Sequence, residues 1–545
     1  MKKINVMFIS HDTGRGGSAK SLTDMLVKLR EYIVPIVVLP AQGDAVLSLK
    51  ELNIEYYIIP FKLNFGEIGC QSDEKNDLIF VNNYESVKRL INIAIDKKIQ
   101  IIHSNSSVIA VGAMLSVVTN IPHVWHIREF LEEDFNREIY DKNLYGNLFK
   151  FTDKFITISK SVQKAFYKKY GIESLQIYDG IDIEGYDIKK CDGTREKNSF
   201  LLAGYFQEGK GQWEVVYAVE KLINKGINNI HVYMVGAGER RYIWCLQQYI
   251  KKNNLDKYIT ILPYQQDLAE LRKKCQFSIT ASRMEGLGRI TIEAMLAGNI
   301  VIGANTGGTL EIIGENGERG YLYQQGLPED LADVMKRVIE LTDLGIIIDK
   351  DRIRKEIKDV FNNDKYAKCI YQIYRDILNN NVIDRRDERE RFGKCLDLRY
   401  NKIKKNQIAI NNFENKEIVA KERALLNDKW DSLRQRGGSL YSVISDMGVK
   451  NIAIYGMGVW GYVLYEELQE TDIKVDYVID KNKEYLDRVV NVLNIEDNLP
   501  CVDIIIVTIL GEEDIIREKL QSKGSYRIVM LSELIKKAGV ENECG

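Results

Sequence analysis

With 545 residues, 45% of them hydrophobic and only 7 prolines, the chain is too long for a single core and reads as three or four globular domains. Lys+Arg 76 against Asp+Glu 78 leaves a formal charge of -2, which argues against a general nucleic-acid binder. The 8 cysteines are scattered without a Cys-x-x-Cys pair, a spacing that suits reduced cytosolic thiols better than a zinc site or a disulfide framework.

Lys2 and Lys3 precede an apolar run that breaks at Ser10-His11-Asp12, too short for a signal peptide. Ile4 to Ser10 reads as a buried parallel strand, and Gly14 to Ser21, with Gly16 and Gly17, opens a helix that runs through Leu29. Strands are predicted at Val34–Leu39, Glu55–Ile59, Gln100–His103, His123–Ile127 and Phe155–Ile158, with helices between most of them. Ile99 to Ile127 lacks acidic and lysine or arginine residues, but its Ser104–Ser107 and Asn120-Ile121-Pro122 breaks predict strand, helix, strand rather than a membrane span. A mostly parallel sheet covered on both faces follows from the alternation.

The alternation restarts with strands at Phe200–Gly204, His231–Val235, Tyr258–Leu262, Phe277–Thr280 and Ile300–Gly303, so a second doubly wound domain is expected. Gly236-Ala237-Gly238 reads as turn chemistry. After the strand ending near Ala281, the string Ser282-Arg283-Met284-Glu285-Gly286-Leu287-Gly288-Arg289 leads into a helix that Gly298 closes. Such a turn aims free N–H groups at whatever lies above the strand, a position that suits an anion such as a diphosphate. Glu293, about one turn into the helix, can accept hydrogen bonds from the vicinal diol of a ribose, and Glu285 can meet a second ring of hydroxyls. Gly286 and Gly288 leave room for a ligand to approach the backbone.

This string resembles the Glu-x7-Glu motif of retaining family 4 glycosyltransferases, and Ile300 to Glu311 resembles the strand and loop that follow it there. The resemblance spans about residues 1 to 380. It implies the α/β GT-B fold, two doubly wound Rossmann-like domains facing a cleft, here expected over 1–180 (acceptor side) and 181–379 (nucleotide-sugar donor side). By resemblance Gly16 and Gly17 face the cleft, Lys210 in Gly204 to Gln212 neutralises the donor's diphosphate, and Gly286, Leu287, Gly288, Arg289 and Glu293 line the donor site. His126 is the histidine expected beside the sugar; with Glu285 and Lys210 it completes the catalytic expectation. Three positions depart from the family. Asn105 stands where a second histidine is common, Asp179 replaces an asparagine, and Tyr205 replaces an arginine whose charge Arg289 is expected to supply. The helix around Tyr366 to Leu378 resembles the last family helix, which crosses back onto the first domain.

Residues 380–437 change character, with a mixed charge run at 384–391 and apolar spacing that suits one or two long helices packed as a connector. Residues 438–545 form an expected small third α/β Rossmann-like domain: strand Asn451–Tyr455, turn Gly456-Met457-Gly458-Val459-Trp460-Gly461, helix to Glu470, strand Lys474–Ile479 with Asp480 at its end, and a strand from Asp503 to Leu510. Gly456, Gly458, Gly461 and Asp480 make a dinucleotide fingerprint in its required context. Two readings stay open, a site for NAD or another nucleotide and an empty interaction module.

The implied reaction transfers a sugar from a nucleoside diphosphate sugar to a glycan, lipid-linked or protein acceptor, with no metal and no cofactor beyond the donor. Its setting is cell-surface polysaccharide or glycoconjugate assembly in the cytoplasm. Lys150, Lys154, Lys160, Lys164, Lys168 and Lys169 offer either a basic surface for peripheral contact with the inner membrane face or a solvated helix face. Residues 380–437 and the C-terminal domain are the candidate oligomerisation elements. The rival readings are a non-catalytic GT-B scaffold and a bifunctional chain with a dinucleotide-dependent C-terminal domain.

Overall fold

The computed structural model describes residues 3–14, 16–182, 195–346, 348–379, 385–405, 438–469, 471–481, 490–509 and 513–541, with residues 426, 429, 430, 433, 434 and 486. Most of 406–437, where part of the connector was expected, lies outside them. Two compact units emerge: residues 1–237 with 257–407, and residues 238–256 with 408–545.

The first unit holds two parallel sheets. One has seven strands in the order Glu55–Ile58, Ile33–Leu39, Ile4–Ile9, Ile101–Ser104, His123–Ile127, Lys154–Thr157 and Leu175–Gln176. The other has six, ordered Ile259–Leu262, His231–Val235, Glu196–Ala203, Cys275–Thr280, Ile300–Ala304 and Tyr321–Tyr323. Every pair in both sheets is parallel. Their strands are near-continuous apolar runs because helices cover both faces. In each sheet the order reverses beside one central strand, Ile4–Ile9 in the first and Glu196–Ala203 in the second. The loops that leave those switch points are where ligands of open α/β sheets bind.

Ile101–Ser104, Val111–Thr119 and His123–Ile127 form strand, helix, strand, and no helix among the described residues is long and apolar enough to cross a membrane. The helix Asn363–Asn379 returns to the first sheet and packs on the helix Gly17–Leu29. In this unit three strand features had no sequence expectation, the first being the seventh strand, Leu175–Gln176, which pairs with Lys154–Thr157. Phe65–Glu67 pairs antiparallel with Arg137–Ile139, and Tyr321–Tyr323 adds a sixth strand to the second sheet.

The helix Arg386–Lys405, expected in the connector, belongs to the first unit. Arg389 drives it onto the core through a buried ion pair with Asp153, 2.8 Å, while Phe392 stacks on Phe151.

The second unit has a five-stranded parallel sheet, ordered Val492–Leu493, Lys474–Ile479, Asn451–Tyr455, Ile504–Val507 and Ile528–Met530. It also contains the helix Arg240–Lys252, whose Trp244 packs its indole on Tyr462 and Tyr465, ring centroids 5.9 and 5.6 Å away.

Candidate active site

Two loops leave neighbouring strands at the switch point of the six-stranded sheet, one after Ala203 and one after Thr280. Gly211 (φ +75°) joins them: a Cβ there would lie 2.0 Å from the Ala281 carbonyl oxygen. The Arg283 N–H also donates to the Gly209 carbonyl, 2.7 Å. The approach fixes Lys210, whose Nζ reaches Glu285 Oε1 at 2.8 Å, while Ser282 Oγ donates to the same oxygen at 2.6 Å. Burial pushes the Glu285 carboxyl up, but the Lys210 ammonium and the Ser282 hydroxyl outweigh it and hold the group below its ordinary range. Gly286 lets this turn meet the first domain, since a Cβ would sit 2.5 Å from the Arg128 carbonyl oxygen. Leu287, 3% exposed, packs its side chain into the core.

Gly288, in the left-handed region at φ +84°, caps the helix Arg289–Leu296. Glu293 lies 6% exposed in that helix with both carboxylate oxygens engaged, Oε1 by Lys20 Nζ at 2.8 Å and Oε2 by Arg272 Nη2 at 2.6 Å. Burial opposes its charge, but Arg272, Lys20 and Arg289 together bring its pKa down to about 2. Arg289, expected to face the diphosphate, pairs its Nη2 with Asp24 on the helix Gly17–Leu29. Lys20 and Asp24 come from one domain and Glu293 and Arg289 from the other, so two ion pairs span the cleft.

Gly16 and Gly17 lie at the start of the helix Gly17–Leu29, where Asp12 ties the preceding loop to the helix. Asp12 accepts from the Ala19 N–H at 3.1 Å, Ser18 Oγ at 2.9 Å and the Gly14 N–H at 3.0 Å. Lys20, in the first turn of this helix, reaches Glu293 in the helix Arg289–Leu296. The ring of His126, the histidine expected beside the sugar, is fully buried. Its Nδ1 lies 3.3 Å from His103 Nε2, and His103 Nδ1 lies 2.7 Å from the Tyr374 hydroxyl. Burial, with Arg128 beside it, holds His126 well below its usual pKa, so the ring is neutral. Its Nε2 has no hydrogen-bond partner among the described residues and lies 3.9 Å from Asp179 Oδ1.

Arg128 explains two of the departures seen in the sequence. Its Nε donates to Asn105 Oδ1 at 2.9 Å and its Nη1 to Asp179 Oδ2 at 2.6 Å, so the asparagine and the aspartate are partners of one buried guanidinium. The Tyr366 hydroxyl closes the network on Asp179 Oδ1 at 3.1 Å. Sequence reasoning named Asn105 and Asp179 but not the cation between them; an asparagine and an unexplained acid flanking a strand-end arginine were the available signal. It also missed Lys20, Asp24, Arg272 and Asp134. Asp134 lies in the short helix Glu132–Phe135, whose carbonyl oxygens touch the donor loops: Arg283 Nε donates to Glu133 at 3.2 Å. Burial, with Glu129 nearby, lifts the Asp134 carboxyl to about 7 despite the Phe130 N–H and Lys210.

In the second unit the fingerprint turn is tight: a Cβ on Gly461 would lie 2.0 Å from the Gly456 carbonyl oxygen, and Gly458 caps the helix Val459–Leu468. Asp480, expected at a ribose, accepts from the Met457 N–H at 2.6 Å and faces Arg241 Nη2 at 3.4 Å.

Residues 188–360 match the family described as glycosyl transferases group 1, and residues 74–184 match glycosyltransferase family 4; together the matches cover more than half of the chain. An uncharacterized glycosyltransferase, MJ1178 of Methanocaldococcus jannaschii, is 23% identical over 365 residues, 64% of this chain and 99% of that protein. The N-acetylgalactosamine-N,N'-diacetylbacillosaminyl-diphospho-undecaprenol 4-alpha-N-acetylgalactosaminyltransferase of Campylobacter jejuni is 21% identical, over 69% of this chain and 99% of its own. Among solved structures, Anabaena HepE in complex with UDP-glucose superposes with a TM-score of 0.56 at 22% identity, covering 69% of this chain and 99% of HepE. The chain belongs to the glycosyltransferases of group 1 and family 4, and its first two-thirds have the GT-B fold.

Proposed function

We propose that this chain is a retaining glycosyltransferase that moves a sugar from a nucleoside diphosphate sugar to an acceptor hydroxyl in polysaccharide or glycoconjugate assembly, with side-chain cations rather than a metal carrying the charge stabilisation. The observation that carries the reading is the pairing of each motif glutamate with a lysine at the two ends of one glycine turn, Glu285 with Lys210 and Glu293 with Lys20, each at 2.8 Å. Ionised carboxylates poised in this way accept hydroxyl donors: Glu293 takes the ribose diol and Glu285 the donor sugar. When the anomeric bond breaks, negative charge gathers on the departing diphosphate. Lys210 and the N-terminus of the helix Arg289–Leu296 stabilise that charge more in the transition state than in the ground state. The acceptor attacks on the face the leaving group vacates, and the phosphate takes its proton.

Support for a nucleotide-sugar donor comes from HepE, solved with UDP-glucose, and support for a lipid-linked acceptor from the name of the Campylobacter relative. The C-terminal glycine turn enters no step of this reading. A donor panel tests the reading. Purified protein with UDP-, GDP-, ADP- and TDP-sugars is expected to release one nucleotide, and Glu293→Ala and Lys210→Ala to lose about 10²-fold or more of that turnover. Release that persists at the wild-type rate in both variants would move the activity elsewhere.

A further inference from the structure

Tyr205 stands where the family resemblance expects an arginine, and Arg289, expected to supply that charge, is paired with Asp24. Among the described residues, four cations around the glycine turn, Lys20, Lys210, Arg272 and Arg289, are ion-paired with three carboxylates, Asp24, Glu285 and Glu293. Their commitments differ. Arg272 is 3% exposed, and its own backbone carbonyl is used by Asn299 and Arg195, so it is part of the framework. Arg289 has a side chain only 11% exposed. Lys20 is the most accessible of the four, its side chain 44% exposed, on a flexible stem rising from the first turn of the helix Gly17–Leu29.

We propose that Lys20 is a diphosphate-binding residue supplied by the first domain, stored on Glu293 until the donor arrives. The inference rests on the reading above, in which Glu293 receives the ribose. A diol that donates to Glu293 Oε1 takes the place Lys20 Nζ holds at 2.8 Å. The displaced ammonium is then beside a nucleotide whose diphosphate leads from the ribose toward the helix N-terminus at Gly288. Lys210 undergoes the matching exchange when the donor sugar's hydroxyls take Glu285. Binding thus trades two lysine–carboxylate pairs for two carboxylate–hydroxyl sets and two lysine–phosphate pairs. The two lysines come from opposite domains, so the diphosphate is gripped from both sides of the cleft. A lysine suits this role better than an arginine would, since a compact charge with rotatable donors passes between a carboxylate and a phosphate without the bidentate geometry that locks a guanidinium.

The test compares a nucleotide with its nucleoside. Whichever of UDP, GDP, ADP and TDP binds the wild type is titrated calorimetrically beside the matching nucleoside, against wild type, Lys20→Met, Lys20→Arg and Glu293→Ala, each checked for an unchanged thermal transition. The expected result is that Lys20→Met weakens the diphosphate about tenfold while the nucleoside binds as well as before or better, and that Lys20→Arg recovers part of the loss. If Lys20→Met binds the diphosphate as tightly as wild type or more tightly, Lys20 is only a latch on Glu293 and the proposal falls. Glu293→Ala separates the two levels: loss of nucleoside binding in that variant keeps the transferase reading standing whatever Lys20 does. A wild-type protein that binds none of the four diphosphates would overturn both.

Discussion

Asp134 is the side chain in the cleft whose charge is least settled at neutral pH. Its carboxyl stands near 7 chiefly through burial, and one oxygen has no partner among the described residues. A raised carboxyl pKa contributes stability that is complete below the unfolded value, near 3.9, and is lost as pH climbs through about 7. Asp134→Asn removes that loss. The variant is expected to melt a few degrees above wild type at about pH 8 and to match it near pH 4, measured by calorimetry at both. Equal melting temperatures at the higher pH would mean the carboxylate is well solvated. Glu293 has the opposite sign: its pKa near 2 means that its contribution is present above the unfolded value and disappears only in strong acid. These two acids were not equally legible. Glu293 sits in a motif with fixed spacing, while Asp134 sits in a four-residue helix whose partners, Glu129 and Lys210, are placed by loops that carry no period. Lys20 was illegible for a related reason, since its partner is 273 residues away and no local pattern points at it.

At the scale of elements, the long parallel strands could be read because full burial writes itself as continuous apolar runs. His123–Ile127, His231–Val235, Asn451–Tyr455 and Lys474–Ile479 fall on the expected residues, and nearly all other expected strand ends lie within two residues of the observed ones. Phe65–Glu67 and Arg137–Ile139 could not be read, because three residues are too few to show alternation and the pairing depends on where two distant loops meet. The glycine turns lie between these cases. Their presence was visible, but only the structure tells which glycine is required and by what. Gly211 is the sharpest example, with a positive φ and a carbonyl oxygen 2.0 Å from where a Cβ would stand. Gly211→Ala is expected to cost about 1–3 kcal/mol of stability and to push Lys210 off Glu285, so that turnover falls further than the melting temperature suggests. Unchanged turnover at a lowered melting temperature would show that Lys210 does not depend on this contact.

For the whole molecule, the compact units gather elements that the chain order separates. The helix Arg386–Lys405 belongs with the first unit, and the helix Arg240–Lys252 belongs with the second although it lies between two strands of the six-stranded sheet. The amphipathic pattern of Arg240–Lys252 showed a buried face without saying which core would bury it. Trp244, 3% exposed, is its main anchor, and Trp244→Ala is expected to remove about 3 kcal/mol from the second unit. Hydrogen exchange should report the loss as faster exchange in Asn451–Tyr455 and Ile504–Val507, with Cys275–Thr280 unaffected. Uniform acceleration in all three strands would mean that the helix stabilises the chain as one cooperative block.

The position of Trp244 also sets a schedule. A ribosome completes the Arg240–Lys252 helix long before it makes Tyr462 and Tyr465, the rings against which Trp244 packs. With roughly 200 residues still to come at about 5–20 residues per second, the indole waits on the order of 10–40 seconds without its final neighbours. During synthesis the apolar face of that helix is therefore a site where a chaperone is expected to bind, and the arrival of the last sheet is what releases it.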